Sequence, residues 1–397
     1  MKLINRQQYL DTLQRLQGTP DIKIITGMRR VGKSELLRAW AQYLKAHDAT
    51  VNIISIDFAD LHFDELKHYK SLFNYIEAHF KADVNNVVMV DEVQLCPQFE
   101  LAINSLHNAH KYDIYITGSN AFLLSGDLAT LFTGRFIEVE VFPFSFAEYC
   151  TYFSITDDYS HHLEAYLKAG GLAGSYVYSN QKDAVTYIKE IYQTSIKRDL
   201  LDRYRIADAA LLDMIAEFLL DNIANLTTVH AISKVLKSGY GNSSHVTVAN
   251  YIKYLCNAFM FYKVKRYDIQ GKRYLSTIDK YFVVDTSLRY AMLGARNMDY
   301  GRAYENIVAL ELLRRGYDIY VGKLYQQEVD FIALRCSEKL YIQVADSISN
   351  DATLARELAP LQSIKDSYRK IVLANTHHDS YDIQGIEVLD IAKWLLG

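Results

Sequence analysis

Little in this chain stiffens, cross-links or anchors it. Its 397 residues include four prolines, four cysteines and 18 glycines that never gather into a Gly/Ser-rich tract. Long flexible or polyproline linkers are therefore not expected. Cys96, Cys150, Cys256 and Cys336 lie far apart, without metal-ligand spacing or a disulfide framework. That usage suits a reducing cytosol, so a cytoplasmic location is expected. No apolar run approaches the ~20 residues that span a bilayer, and the first residues hold no signal-type apolar stretch, so no membrane partner is expected. There is also no internal repeat at a fixed period. What remains is ordinary globular composition, 50% hydrophobic and 23% charged with a net charge of −4, on a chain long enough for two or three cores.

The most informative stretch is Gly27-Met28-Arg29-Arg30-Val31-Gly32-Lys33-Ser34. It is a complete P-loop between a β-type run, Lys23–Thr26, and a helix-forming run, Glu35–Trp40. The motif works only as strand, loop and helix, because the helix N-terminus aims its free N–H groups at phosphate. Gly27, Arg30, Val31, Gly32, Lys33, Ser34 and Glu35 are thus expected to cradle ATP. Lys33 would face the β- and γ-phosphates, and Ser34 would bind Mg²⁺. A second run, Asn86-Val87-Val88-Met89-Val90-Asp91-Glu92, reads as a strand covered on both faces and ending in two acids. Such acids fall at the crevice where doubly wound sheets bind ligands. Asp91 is expected to hold Mg²⁺ and Glu92 to deprotonate the attacking water. A third strand, Asp113–Ile116, leads into Thr117-Gly118-Ser119-Asn120. Ser119 and Asn120 are expected to sense the γ-phosphate, although Gly-Ser-Asn is also plain turn chemistry.

Strands at about 22–26, 51–58, 86–91, 113–117 and 135–141, separated by helical stretches, predict an α/β fold with a parallel sheet. Ser145 is the expected N-cap of the next helix. Residues 146–206 read as mostly helical and are expected to form the lid of the ATPase. Helices over about 211–222, 227–237 and 244–258, followed by a hairpin over 260–284, describe a winged helix-turn-helix. Residues 231–280 hold nine Lys/Arg and two acids, an excess of +7 that makes duplex DNA the expected partner; the other reading is a packing module. The last hundred residues alternate a helix with strands at about 317–321, 328–334, 339–345 and 369–374. The expected domains are 1–145, 146–206, 207–292 and 297–397.

The ordered set of motifs resembles the prokaryotic AAA-type ATPases, close to the STAND branch, that carry a C-terminal domain similar to PD-(D/E)xK nucleases. The P-loop, Val90-Asp91-Glu92 and Ile116–Asn120 match. So do Thr133-Gly134-Arg135, Phe142–Phe146, Lys197-Arg198-Asp199, the Gly301…Glu305-Asn306 helix and Glu328-Val329-Asp330-Phe331. The resemblance covers nearly the whole chain. It implies γ-phosphate-sensing roles for Arg135 and Arg198, each of which could equally be a surface ion pair. It also implies a divalent ion at Glu305, Asp330 and Gln343. The chain departs from the nuclease pattern where Glu-x-Lys should stand, reading Gln343-Val344-Ala345, so a relic that binds or scaffolds is expected. The function implied is an ATP-hydrolysing switch that couples nucleotide state to DNA or a protein partner, with self-association open. The rivals are a nucleotide-binding regulator with negligible turnover and an ATP-dependent nuclease.

Overall fold

The apolar runs without alternation become the buried strands of a parallel sheet. In the computed structural model, which describes residues 3–118, 132, 134–240, 244–294 and 299–397, the chain divides into two compact units, Leu3–Phe142 and Pro143–Gly397. The first unit holds strands β1 (Ile22–Thr26), β2 (Asn52–Asp57), β3 (Asn86–Asp91), β4 (Asp113–Thr117) and β5 (Phe136–Glu140) in the order β2-β3-β4-β1-β5. All four pairings are parallel. Helices α1 (Gln7–Leu16), α2 (Lys33–His47), α3 (Tyr69–Ala78) and α4 (Phe99–Asn108) also belong to the unit. Ile22, Ile24, Val88, Val90, Ile114 and Ile116 form one core with Leu72, Ile76 and Leu106 from the helices.

The parallel arrangement has a local cause at its centre. Lys23 on β1 is fully buried, which is tolerable only if its charge is paired. Its Nζ donates to Asp113 Oδ1 and to the Thr19 carbonyl, each at 2.6 Å. This ties the start of β1 to the start of β4.

In the second unit, Ser145 caps the helix Phe146–Phe153 through a capping box with Glu148, as its sequence position predicts. The helices Ala209–Asp221, Val229–Tyr240 and His245–Asn257 precede an antiparallel hairpin, β6 (Phe261–Asp268) and β7 (Arg273–Val283). The remaining strands are β8 (Asp318–Leu324), β9 (Gln327–Arg335), β10 (Glu338–Ala345), β11 (Arg369–Ala374), β12 (Tyr381–Ile383) and β13 (Ile386–Asp390).

Two features differ from the sequence reading. The hairpin is not a free wing: β6 pairs in parallel with β8, so one eight-stranded sheet runs β12-β13-β11-β10-β9-β8-β6-β7. The helices of 146–206 likewise share a core with the last hundred residues, where Phe146, Tyr149 and Leu163 cluster with Phe282, Tyr304, Ile307 and Leu395. Both groups of residues lie in the one compact unit Pro143–Gly397, joined by shared apolar burial. No helix among the described residues is long and apolar enough to cross a membrane.

Candidate nucleotide site and a buried acid cluster

The P-loop joins β1 to α2, and its backbone takes the positive φ that wrapping an anion requires. Gly27 has φ 129°, Arg30 64° and Gly32 96°. A Cβ on Gly27 would lie 2.2 Å from the Val141 carbonyl oxygen, so only glycine fits where the loop passes the end of β5. Gly32 is the N-cap of α2, with no side-chain cap bond; the first-turn N–H groups of that helix are the donors that phosphate takes elsewhere. The buried Lys33 donates from Nζ to the carbonyls of Gly27 (2.8 Å) and Met28 (3.0 Å). Glu35 pairs with Arg38 at the half-exposed surface of α2.

Asp91 and Glu92 stand at the C-terminal end of β3, with Asp57 at the matching end of β2. Thr117, at the end of β4 and fully buried, serves both acids: its hydroxyl donates to Asp91 Oδ1 and accepts the Glu92 N–H at 3.2 Å. Glu92 is left-handed at φ 52°, a strained conformation for a residue with a side chain. Its carboxylate accepts a bond from Gln94 Nε2. Next to β1, the Thr26 hydroxyl donates to Glu138 Oε1 at 2.7 Å; burial pushes the Glu138 carboxyl above its ordinary range, and the Thr26 bond opposes this.

The same end of the sheet thus collects a buried lysine, the N-terminus of α2, a serine in its first turn and two adjacent acids. This donor set fits a magnesium nucleotide. The sequence reading missed three supports. Arg6, before α1, donates to the carbonyls of Val31 (3.0 Å) and Phe142 (2.9 Å) and stacks 4.4 Å from the Tyr9 ring. It pins the P-loop to the segment after β5. Thr117 and Gln94 are the other two. A buried hydroxyl serving two partners is costly to lose: Thr117→Val should lower unfolding stability by about 1–3 kcal/mol, as read by chemical denaturation.

Not all predicted site residues meet here. Arg135 precedes β5 and donates to Asn108 Oδ1 at 2.7 Å. Its carbonyl accepts the Ile22 N–H at the start of β1. It therefore lies one strand length, roughly 16 Å, from its own P-loop. Ser119 and Asn120 lie outside the described residues, as does the side chain of Arg198, whose backbone belongs to a π-helix, Ser195–Leu201.

In the second unit, Glu305 on the helix Tyr300–Arg314 and Asp330 on β9 do converge, and Gln343 lies beside them. The Gln343 carbonyl oxygen faces the Asp330 N–H at 3.4 Å, and its amide donates to Glu357 Oε2 at 3.0 Å. The group at the centre is one the sequence reading left out. Lys280 of β7 places its Nζ 2.6 Å from Glu305, 2.8 Å from Glu328 and 3.6 Å from Asp330. Burial opposes its charge, but Glu305, Asp330 and Glu328 outweigh that and raise its affinity for the proton. Burial works against the charge of the Glu305 carboxyl, and Lys280 beside it favours that charge. Three carboxylates holding an ammonium do not fit a divalent ion as the chain stands. Among the described residues, no group of three or more His, Cys, Asp or Glu is set to hold a metal. A signal existed in the sequence: Asp279-Lys280 opens the apolar run Tyr281–Val284, and a lysine buried in such a strand must find acids.

The comparisons with known proteins follow the same division. Residues 19–150 match the model of an AAA domain, and residues 160–299 match that of a domain of unknown function, DUF8612. An uncharacterized protein of Haemophilus influenzae is 37% identical over 400 residues, covering 99% of this chain and 99% of its own. An uncharacterized protein of Methanocaldococcus jannaschii is 26% identical, covering 93% of this chain and 84% of its own. Among solved structures, AMPPCP-bound DnaA from Aquifex aeolicus aligns at TM-score 0.32 and 15% identity, covering 64% of this chain and 89% of its own. The chain belongs to the family of the Haemophilus influenzae protein.

Proposed function

We propose that this chain binds and hydrolyses ATP and works as an AAA-type switch whose nucleotide state governs contact with duplex DNA. The observation that carries the reading is the meeting of the P-loop with Asp91 and Glu92 at one end of the parallel sheet. Ser34 and Asp91 would hold Mg²⁺, which neutralises phosphate charge when bound. Lys33 would leave its loop carbonyls for the β- and γ-phosphates. Glu92, steadied by Gln94, would take the proton of the attacking water. Ser119 and Asn120 would sense the γ-phosphate, and Arg198 would supply a cation. Arg135 would do so only from a neighbouring copy, which makes self-association part of the proposal. Steady-state phosphate release with ATP and Mg²⁺ tests the reading. ATP binding without release would favour a regulator with negligible turnover.

DNA is proposed as the partner on the basic excess of 231–280, but the spatial charge is smaller than the sequence count. Lys280 is buried among acids, Lys263 pairs with Asp279 at 2.9 Å, and Arg273 lies 3.8 Å from Asp268. Lys234, Lys253, Lys265 and Lys272 are exposed. If about four phosphates are neutralised, log K should fall with log salt at a slope of roughly −3.6, and Lys265→Ala with Lys272→Ala should flatten it by about half. No binding at low salt, with or without ATP, would make a protein the partner instead. The nuclease-like reading of 297–397 stands as a proposal for its ancestry. With lysine absent at 345 and Lys280 among the acids, no DNA cleavage is expected with Mg²⁺ or Mn²⁺.

A further inference from the structure

The Lys280 cluster joins three separate pieces of the second unit. Lys280 comes from β7, Glu305 from the helix Tyr300–Arg314, and Glu328 and Asp330 from β9. Next to it, the Asn306 side chain completes the edge of β7: its Oδ1 accepts the Val283 N–H and its Nδ2 donates to the Val283 carbonyl, both at 2.8 Å. These bonds tie the helix to β7 at the residue next to Glu305. The remaining oxygen of Asp330 accepts the Val344 N–H at 2.9 Å. Glu357, behind Gln343, is neutralised separately by Arg356 at 2.8 Å. The Lys280 side chain is 4% exposed, so its charge depends on these acids, and theirs on it.

Several oxygen donors, carboxylates foremost, arranged about one point are what a hard divalent cation takes. Here that point is filled by an ammonium reached from the preceding hairpin. We infer that Lys280 is the resident cation of this pocket: it supplies the charge compensation that a divalent ion would otherwise supply, and while it is there the pocket takes no divalent ion. The consequence is structural as well as chemical. The hairpin and the C-terminal sheet are clamped by a side chain, so the clamp does not loosen when metal is withdrawn. The inference is independent of the nucleotide reading, because every group lies in the second unit and the test is run without nucleotide.

Lys280→Met keeps length and apolar stem while removing the charge. Two buried acids, Glu305 and Asp330, are then left beside the half-buried Glu328 without a cation, and the unfolding temperature should fall by roughly 5–15 °C. Millimolar Mn²⁺ should recover most of that loss, and calorimetry should show Mn²⁺ binding at least about tenfold tighter than to the unmodified chain. Adding Glu305→Gln and Asp330→Asn to Lys280→Met should restore the unfolding temperature without metal and abolish the Mn²⁺ response. If Lys280→Met alone does not fold, folding of this neutral variant carries the same conclusion, and failure of both overturns it. Mn²⁺ binding by the unmodified, nucleotide-free chain that is lost on Asp330→Asn also overturns it. So does a Lys280→Met chain with unchanged unfolding temperature and no Mn²⁺ response.

Discussion

Lys33→Ala is expected to reduce ATP hydrolysis to background and to weaken nucleotide binding. Lys33 is the lysine of the P-loop, and its ammonium bonds the Gly27 and Met28 carbonyls of its own loop. Two consequences follow from that placement. The charge is already inside the loop, so binding requires a short exchange of partners rather than a long reach. Loss of the side chain also leaves two loop carbonyls without this donor, so part of the effect could come from a disturbed loop. A denaturation curve on the variant separates the two, because loss of phosphate contact alone leaves the protein as stable as before. Removal of one preorganised charge or donor from a phosphoryl-transfer site costs at least roughly 10²–10³ in rate. Turnover like that of the unmodified chain would remove the assignment of this lysine, and with it the ATPase reading.

The second large effect separates chemistry from binding. Glu92→Gln keeps the shape of the side chain and a carbonyl oxygen for Gln94, but has no basic carboxylate. ATP should bind about as well as before, while hydrolysis slows at least ~10²-fold. Glu92 is suited to this separation because its backbone position is fixed by other groups: its N–H is held by Thr117, and its left-handed conformation is built into the turn after β3. If binding is lost with turnover, Glu92 is a direct ligand of the metal or a structural acid, and the base must be sought elsewhere. Asp57, at the neighbouring strand end, is then the first candidate.

Much of the first unit was legible in the sequence because its signals are local. The P-loop specifies its own strand, turn and helix within some twenty residues, and β1, β3 and β4 fall at the predicted residues because each is a short run of buried apolar side chains. The acids at 91 and 92 were legible as the end of such a run. Arg6 was not, since its two carbonyl partners are 25 and 136 residues away. Thr117 was placed at the end of its strand but given no role. In the second unit the small strands β12 and β13 and the last helix passed unnoticed, being too short to show a period.

By itself, the sequence placed the P-loop between a strand and a helix and put Asp91 and Glu92 at the end of a buried strand, and its resemblance to a known family set Glu305 beside Asp330. Only the tertiary structure decided that the hairpin of 261–283 is a pair of strands in the C-terminal sheet, that Arg135 lies at the far end of the sheet from its own P-loop, and that Lys280 sits among Glu305, Glu328 and Asp330. The physical reason is range. Helix caps, glycine turns and apolar periods act over a few residues and leave their mark in order along the chain. A buried charge is satisfied by whatever the fold brings to it, here acids 25 to 50 positions further on, and no local pattern records which lysine will meet them.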